Sequence, residues 1–476
     1  MAISKINEIW RKNSTFLGSL NKYLALKEGS SLHLLPTGAI IFLKEAVEFS
    51  SSMVYINRVT TELLLKCNGS KRAYEIINEL YEEKEENYLR IFAPILSLIK
   101  VLEEDYIHSY EDPIPISIRI TGSTDYHVPT HMAIELTSGC NLRCVYCYRE
   151  SGPERYEKLP TQELLATLKS LAQHGIRVIE LTGGEPFVHP DFLEILNFCV
   201  NHFELVAILT NGCLINEGST RKIAQCKSKI IVSISLNGSN PKIHDALTRV
   251  EGSFKKTTKA IHLLADKDIR FGVAMCVTSE NVDDIENTLL LAKELGAKWF
   301  GYSPALDLGR GKDLKWCIDF QQIKELTNCE ESLANQCKGF LITMPEYASK
   351  IIEESGCGAG HRSFVLGSTG NVRPCVMFPD QYITFGNLLE NTIEEVFRNP
   401  LIERFHNIRP PNNEICEECE YQQYCRFCIV RGLNRYESIG KVCKWARATK
   451  IDKVVNIPGK QDQENKNHVY LKREKF

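Results

Sequence analysis

Three cysteines, Cys140, Cys144 and Cys147, lie within eight residues. Cysteine thiolates are the usual ligands of iron–sulfur clusters, and a [4Fe–4S] cluster has four irons. Three thiolates therefore leave one iron open to bind another group. A structural zinc site is the alternative, but such sites have four ligands, and no fourth Cys or His follows nearby. The spacing favours a [4Fe–4S] cluster with one open iron.

The elements that must hold these cysteines alternate between strands and helices. An apolar run, His131 to Leu136, precedes them and breaks at Ser138-Gly139, as expected of a buried strand that ends in a loop. The alternation that follows predicts a parallel sheet with crossover helices, including Thr161–His174 and Val282–Glu294. Six such units predict an α/β fold with a partial (β/α)6 TIM-type barrel, in which chemistry takes place on the loops after the strands. The predicted strands are Met132–Leu136, Val178–Leu181, Leu205–Leu209, Ile230–Leu236, Arg270–Val277 and Trp299–Ser303.

The pattern Cys-x3-Cys-x2-Cys, with Tyr146 just before the last cysteine, resembles the signature of radical S-adenosylmethionine (SAM) enzymes. The resemblance implies that the open iron binds the amino and carboxylate groups of SAM. An electron from the cluster then splits SAM and produces a 5′-deoxyadenosyl radical. Cys140, Cys144 and Cys147 are in this case the catalytic cluster ligands, and Tyr146 lies beside SAM. A reducing protein such as flavodoxin or ferredoxin is implied as a partner.

A glycine-rich motif, Thr182-Gly-Gly-Glu-Pro186, follows the second predicted strand. Gly183 and Gly184 allow the backbone to approach a ligand closely, and Glu185 can accept a hydrogen bond from an ammonium group. The motif resembles the Gly-Gly-Glu-Pro element of the same family, which holds the amino group of SAM. The resemblance therefore assigns Gly183, Gly184, Glu185 and Pro186 to SAM binding.

Three further SAM contacts are implied after the third and fourth strands. Asn211 lies in a Thr-Asn-Gly turn that matches the family, although an ordinary strand-to-helix turn is the alternative. Ser235 and Arg249 match a family pattern whose Ser and Arg contact the ribose and carboxylate of SAM. The sequence departs from this pattern at Asn237, where an Asp is usual, and by about one extra residue before Arg249. A salt-bridged structural role is therefore the alternative for Arg249.

Seven further cysteines form a second cysteine-rich region. Their pattern resembles the SPASM extension, which carries two auxiliary [4Fe–4S] clusters, with two residues before the sixth cysteine where three are usual. A zinc ribbon is the alternative, but the five-residue gap and the odd seventh cysteine count against it. By position, the resemblance assigns one cluster to Cys416, Cys419, Cys425 and Cys443, and the other to Cys357, Cys375 and Cys428.

The second of these clusters has only three assigned ligands. Some relatives supply a fourth Cys about six residues before the first, where this chain has Ile351. The nearest upstream thiols belong to Cys337 and Cys329. Either one of them completes the site, or one iron is open and binds the substrate's Cys thiolate during the reaction.

The first 110 residues form a separate predicted unit. Short strands at Leu32–Leu35, Ala39–Leu43 and Met53–Ile56 precede helical periodicity at Val59–Lys66, Arg72–Tyr81 and Tyr88–Glu103. The stretch from Asn57 to Arg72 resembles part of the small winged-helix module that recognises leader peptides by adding them as a strand to a sheet edge. A stabilising cap or a dimer contact is the alternative. We therefore predict a recognition domain at 1–110, a linker at 111–127, the radical SAM core at 128–340, the SPASM domain at 341–450 and a charged, disordered tail at 451–476.

Composition and charge indicate which partners and which cellular location to expect. The formal charge of −3 argues against nucleic-acid binding, which needs a strongly basic face. No apolar run approaches the length of a membrane span, and the first residues lack the pattern of a signal peptide. We therefore expect a cytoplasmic protein, in which the 18 cysteines serve metal binding or packing rather than disulfides.

Longer phrases resemble the thioether-forming maturases of sactipeptides, among them Phe187-Val-His-Pro190, Val372-Arg-Pro-Cys375 and Cys428-x3-Gly-Leu-Asn434. The resemblance implies an oxidoreductase that joins a Cys sulfur to an α-carbon within a ribosomally synthesised precursor peptide, as in bacteriocin biosynthesis. Side-chain-carbon thioethers, carbon–carbon cross-links and epimerisation remain open, because the same radical serves all of them. A sulfatase-type formylglycine maturase is disfavoured by Val376, where such enzymes carry an Asp. A leader-binding or zinc-scaffold protein without catalysis is the non-enzymatic alternative.

Overall fold

The computed structural model describes residues 20–43, 53–82, 88–312, 322, 340–343, 358–425 and 427–456. The chain divides into two compact units, Met1–Val128 and Pro129–Phe476. Among the described residues, no helix is both long and apolar enough to cross a membrane. Cys329, Cys337 and Cys357 lie outside these ranges, as do residues 457–476 of the predicted tail.

The first unit contains two small sheets with the orders β5-β1-β6 and β4-β3-β2-β7. Its predicted strands and helices are confirmed to within two residues, and Asn57 caps the first helix by accepting a hydrogen bond from the Thr60 N–H at 2.9 Å. The elements are β1 (Tyr23–Leu26), β2 (Ser31–Leu35), β3 (Gly38–Phe42), β4 (Met53–Asn57), α1 (Arg58–Lys66), β5 (Asn68–Arg72), α2 (Ala73–Glu82), α3 (Tyr88–Asp105), β6 (Ile107–Tyr110) and β7 (Arg119–Gly122).

One strand of this unit lies in the segment 111–127, which the sequence predicts to be a linker. Strand β7 runs parallel to β2, with Arg119 opposite Ser31. Its Ile120 is 48% exposed, so the segment lacks the buried alternation that would mark a strand in the sequence. β7 is recognised as a strand only because it pairs with β2, which lies far away in the sequence. The first unit therefore extends beyond residue 110.

The second unit is built on one sheet with the order β14-β13-β12-β11-β10-β9-β8-β15-β16-β17. Strands β8 to β13 are parallel and joined by helices, which confirms the predicted partial barrel. The strands are β8 (His131–Glu135), β9 (Val178–Thr182), β10 (Leu205–Thr210), β11 (Ile230–Ser235), β12 (Phe271–Val277), β13 (Trp299–Pro304), β14 (Leu341–Thr343), β15 (Ser363–Leu366), β16 (Asn371–Arg373) and β17 (Gly386–Asn387). The helices are α4 (Thr161–His174), α5 (Phe192–His202), α6 (Glu217–Gln225), α7 (Pro241–Thr248), α8 (Ser253–Ala265), α9 (Ile285–Glu294), α10 (Ile393–Phe397), α11 (Pro400–His406), α12 (Gln422–Cys425), α13 (Ile429–Ile439) and α14 (Lys444–Thr449).

The cysteine-rich region attaches to the barrel through its sheet. Strand β15 runs parallel to β8, with Val365 opposite Ala133, and β16 pairs antiparallel with β15. The segment that carries Cys375 is therefore continuous with the strand that carries the first cysteine motif. This connection brings together residues that are more than 200 positions apart in the chain.

The two faces of the parallel strands differ in chemistry, because successive side chains point to opposite sides. Met132, Ile134 and Leu181 are fully buried. On the opposite face of β8 and β9 lie His131 and Glu180, whose Nε2 and Oε2 atoms are 3.8 Å apart. Burial raises the pKa of Glu180 to about 7 and lowers that of His131 to about 4.

The raised pKa of Glu180 predicts a pH-dependent loss of stability. A carboxyl whose pKa is higher in the folded state stabilises the fold at low pH, and this contribution is lost as the pH rises from about 4.5 to 7. Glu180→Gln should therefore gain about 2 to 3 kcal/mol over the parent protein between about pH 4.5 and pH 8, at about 1.4 kcal/mol per pKa unit. Urea denaturation at both pH values measures the gain, with Glu194→Gln on α5 as control. Parallel pH profiles for parent and variant would contradict the prediction.

Candidate active site

The three cysteines of the first motif lie on the loop that follows β8. The loop is held by main-chain hydrogen bonds, from the Cys140 N–H to the Gly152 carbonyl at 3.1 Å and from the Val145 N–H to the Leu247 carbonyl at 3.0 Å. The Cys147 N–H also donates to the Cys144 carbonyl at 3.2 Å. Local turns and a contact with α7 therefore shape the loop, so its three thiols lie together at the end of the strand.

All three thiols line one cavity at the carboxyl ends of the barrel strands. Its empty space is about 970 Å³, part of which is open to solvent. The structure brings together at this cavity most of the residues that the sequence assigns to the cluster or to SAM. These are Cys140, Cys144, Tyr146, Cys147, Gly183, Gly184, Asn211 and Ser235.

The glycine motif interlocks with the cysteine loop. The Gly184 N–H donates to the Thr137 carbonyl at 2.7 Å, and the Glu185 N–H donates to the Gly139 carbonyl at 2.9 Å. A Cβ atom on Gly184 would lie 2.2 Å from the Gly139 carbonyl oxygen, and Gly183 has a φ of +130°. Only glycine permits this approach without displacement of the cysteine loop.

Gly184→Ala should therefore displace the cysteine loop and lower the rate of SAM cleavage. A misplacement of about 1 Å can reduce a rate about 10²-fold, and we expect a loss of that order. Formation of 5′-deoxyadenosine by the reconstituted enzyme measures the effect. The control is Gly218→Ala in α6, where the nearest atom to the new Cβ is a side-chain oxygen 3.1 Å away. Equal rates for the Gly184 variant and the parent enzyme would contradict the prediction.

Glu185 is fully buried beside the cavity rather than among its lining residues. Its carboxylate accepts hydrogen bonds from the Thr210 hydroxyl at 2.7 Å, the Asn211 N–H at 2.8 Å and the Phe187 N–H at 3.2 Å. Burial raises its pKa to about 7 in spite of these donors. Glu185 therefore joins the loops after β9 and β10, and Pro186 begins the turn that follows.

The other predicted SAM contacts are divided between the cavity and the surface. The Asn211 amide lies 3.7 Å from the Cys140 sulfur and donates to the Asn141 side chain at 2.9 Å. Ser235, the last residue of β11, lines the cavity. Arg249 is exposed at the end of α7 with a φ of +59° and does not line it.

Asn237, which departs from the family pattern, is buried and lines the cavity. Its side-chain oxygen accepts a hydrogen bond from the Cys276 N–H at 2.9 Å, and its own N–H donates to His244 at 3.1 Å. The uncharged Asn237 therefore has hydrogen-bond partners here, namely the Cys276 N–H and the His244 ring. The departure from Asp does not disrupt the cavity wall.

Sequence reasoning missed Arg310, which lines the cavity from the turn after β13. Its guanidinium donates to the carbonyls of Cys144 at 2.9 Å and Ser151 at 2.6 Å, and its N–H donates to the Cys147 carbonyl at 3.1 Å. The available signal was a charged residue between two glycines at the end of a barrel strand. Arg310 therefore holds the part of the cysteine loop from Cys144 to Ser151 in place.

The thiols of Cys140, Cys144 and Cys147 are better suited to binding a metal cluster than to acting as free thiols. Burial, together with the neighbouring Cys147, raises the pKa of Cys144 to about 12. The pKa of Cys140 is also raised, mainly by burial. Such thiols stay protonated unless a metal displaces the protons. Three sulfur ligands at one cavity are the donor set of a [4Fe–4S] cluster with an open iron.

Four cysteines of the second region also come together. Cys416, Cys419, Cys425 and Cys443 line one small pocket, together with Trp445. Cys428 is buried at the start of α13 and lies outside the lining of this pocket. Cys375 follows β16. The four thiols match the ligand set that the SPASM resemblance assigns to one auxiliary cluster.

Comparisons with known proteins agree with this geometry. The chain matches the radical SAM superfamily over residues 134–292 and the SPASM iron–sulfur cluster-binding domain over residues 357–420. It is 32% identical over 444 residues to the antilisterial bacteriocin subtilosin biosynthesis protein AlbA of Bacillus subtilis, which covers 91% of this chain and 98% of AlbA. It is 25% identical over 281 residues to the sporulation killing factor maturation protein SkfB of the same organism, which covers 59% of this chain and 67% of SkfB.

A solved structure shares the fold. Streptococcus suis SuiB bound to its precursor peptide SuiA has a TM-score of 0.62 at 18% identity, covering 86% of this chain and 96% of SuiB. The likeness to AlbA extends over nearly the whole of both chains. The first cysteine motif lies within the radical SAM match, and the SPASM match covers the second cysteine region as far as Cys419. The chain is therefore a radical SAM enzyme with a SPASM domain, belongs to the family of AlbA, and uses SAM and [4Fe–4S] clusters as cofactors.

Proposed function

We propose that this enzyme forms intramolecular thioether bonds between Cys sulfur and α-carbon atoms of a ribosomally synthesised precursor peptide, as in sactipeptide bacteriocin biosynthesis. The observation that carries the proposal is the similarity to AlbA, a bacteriocin biosynthesis protein, over 91% of this chain. A similarity of that extent includes residues from the first unit as well as the barrel and the cysteine-rich region. The proposal therefore concerns the whole reaction, from peptide recognition to bond formation.

The chain's own residues bind and orient the reactants. When bound, the cluster and SAM supply a 5′-deoxyadenosyl radical, which removes a hydrogen atom from the peptide. The hydroxyls of Ser233 and Ser235 and the amide of Asn237 give the cavity a polar wall that suits the ribose and methionine parts of SAM. The close backbone of Gly183 and Gly184 leaves room for the ligand. Two electrons and two protons leave the peptide for each thioether, one pair as the abstracted hydrogen atom and the second proton from the Cys thiol. Cys416, Cys419, Cys425 and Cys443 would hold an auxiliary cluster, which would supply a place for the remaining electron.

The first unit is proposed to hold the leader segment of the precursor. Strand β4 forms one outer edge of its four-stranded sheet, and Tyr55 on that strand is 44% exposed. An extended peptide can add to such an edge through main-chain hydrogen bonds. SuiB, which shares the fold, has been solved with its precursor peptide. A flavodoxin or ferredoxin as electron donor and a cytoplasmic location remain predictions.

An isotope experiment tests the proposed bond. The substrate is a candidate precursor peptide with several spaced cysteines, made with deuterium at the α-carbon or at the side chain of the acceptor residues. The reconstituted enzyme should remove two hydrogens per thioether and transfer deuterium to 5′-deoxyadenosine only from the α-labelled peptide. Transfer only from the side-chain label would instead indicate a side-chain thioether. An unchanged peptide mass, with SAM cleaved, would refute thioether formation.

A further inference from the structure

A chain of four charged side chains joins the first cysteine motif to the segment of Cys375. The Arg149 guanidinium lies 2.9 Å from Oε2 of Glu135, and Arg373 contacts the same oxygen. Nε of Arg373 lies 2.8 Å from Oδ1 of Asp380. Glu135 and Arg373 are almost completely buried, with side-chain exposures of 1% and 0%.

The four residues bracket both cysteine segments. Glu135 ends β8 before Cys140, and Arg149 follows Cys147 by two residues and lines the SAM cavity. Arg373 precedes Cys375 by two residues, and Asp380 follows Cys375 by five. Each segment therefore begins and ends at a member of the same ion-paired chain.

Attachment of the two segments does not require these charges. Strand β15 already links β8 to β16 by main-chain pairing, with Val365 opposite both Ala133 and Arg373. Replacing a buried ion pair with apolar residues is often neutral or stabilising, because desolvation offsets the attraction. The four charges are therefore better explained by a need to fix the positions of the two segments than by a contribution to stability.

Ion pairs fix the relative positions of the four side chains. Two cations and two anions alternate, and Oε1 of Glu135 is buried without a hydrogen-bond partner among the described residues. The carboxylate is therefore positioned by the two guanidinium groups at its other oxygen. Arg373 is further held by donating to the Phe378 carbonyl, inside the Cys375 segment. Movement of either segment would leave a buried charge uncompensated, which is strongly unfavourable.

We propose that Arg149, Glu135, Arg373 and Asp380 form a clamp that fixes the SAM-cluster loop relative to the Cys375 segment. Glu135 and Arg373 are positioning residues, since they act through the two segments that they join. The clamp keeps the site of hydrogen abstraction and the auxiliary-cluster segment in one arrangement, so the peptide radical is captured as it forms. The last step rests on the proposed thioether function.

The first test measures coupling. Glu135→Gln and Asp380→Asn should each lower the number of thioethers formed per 5′-deoxyadenosine, since a misplacement of about 1 Å can cost about 10²-fold in rate. We expect a loss of about 10- to 100-fold for Glu135→Gln and a smaller loss for Asp380→Asn, whose side chain is 37% exposed. The matched control is Glu204→Gln, which breaks the Arg177–Glu204 ion pair, 2.6 Å long, at the opposite ends of the barrel strands. The control should keep the ratio of the parent enzyme.

The second test needs neither cluster nor peptide. In the full-length iron-free protein, Asp380→Asn should speed amide hydrogen exchange in residues 136–149 as well as in its own segment. A residue that only supports its local fold would speed exchange in 374–385 alone. Should Glu135→Gln fail to fold, the partly exposed Asp380 variant still decides both tests.

Unchanged ratios in both clamp variants, with faster exchange confined to the mutated segment, would overturn the clamp. If the parent enzyme forms no thioether, the proposed function fails. The exchange experiment then still decides whether the two segments are coupled.

Discussion

Replacing Cys140, Cys144 and Cys147 together with Ala is expected to abolish 5′-deoxyadenosine formation and to leave the auxiliary iron bound. These three thiols alone line the cavity that also contains the glycine motif, Asn211 and Ser235 among the described residues. The thiols of Cys416, Cys419, Cys425 and Cys443 line a separate pocket. Loss of one [4Fe–4S] cluster out of three should therefore lower the iron content by about a third.

The measurement combines iron analysis with chromatography of the SAM cleavage products under dithionite. Cys199→Ala is the matched control, because this buried thiol packs within α5 and lies outside both pockets. It should retain full iron content and full SAM cleavage. Residual 5′-deoxyadenosine in the triple variant would show that the radical is generated elsewhere, and complete loss of iron would show that the two cysteine regions do not assemble independently.

Removal of the first unit should separate peptide recognition from radical formation. Residues 1–128 contain none of the cysteines or cavity residues assigned to SAM or the clusters. A chain starting at Pro129 should therefore still cleave SAM. Modification of the full precursor should fall by about 10²- to 10⁴-fold, because tethering through the leader raises the effective concentration of the core peptide.

The boundary of this deletion follows from the structure. A cut at residue 110 would leave β7 without β2, its parallel partner, and expose an unpaired strand. The matched control substrate is the core peptide without its leader, which both enzymes should modify equally slowly. An unreduced rate with the full precursor would mean that the first unit is a cap and not a reader of the leader.

The chemistry of this protein could be predicted from local sequence because its ligands are local. Cys140, Cys144 and Cys147 fall in one turn-forming loop, and Gly183 and Gly184 in another. Each motif is continuous in the sequence, so its resemblance to the radical SAM family implies the cluster and the SAM site. The barrel strands were predictable because continuous apolar runs are typical of parallel strands covered on both faces. The structure places all of these residues at the same ends of the strands.

The residues that sequence reasoning missed act over long separations. Arg310 bonds to the Cys144 carbonyl from 166 positions away, and Arg373 pairs with Glu135 from 238 positions away. No spacing rule connects such pairs, since which loop meets which depends on the strand order of the sheet. Arg249, which the motif match assigns to SAM, lies in a left-handed conformation at the end of α7 and outside the cavity lining, and its role stays a prediction.

The sequence by itself predicted the cofactor chemistry, through its resemblance to the radical SAM family, and the barrel. Both predictions rest on continuous stretches of the chain, namely the cysteine motif, the glycine motif and the alternation of strands and helices. The tertiary structure decided that Glu185 is buried against Thr210 and Asn211, and that β7 belongs to the first unit. It also decided that β15 joins the Cys375 segment to the strand before the first cysteine motif. The physical reason is that burial and ion pairing depend on the distances between side chains, which only the packed sheet sets.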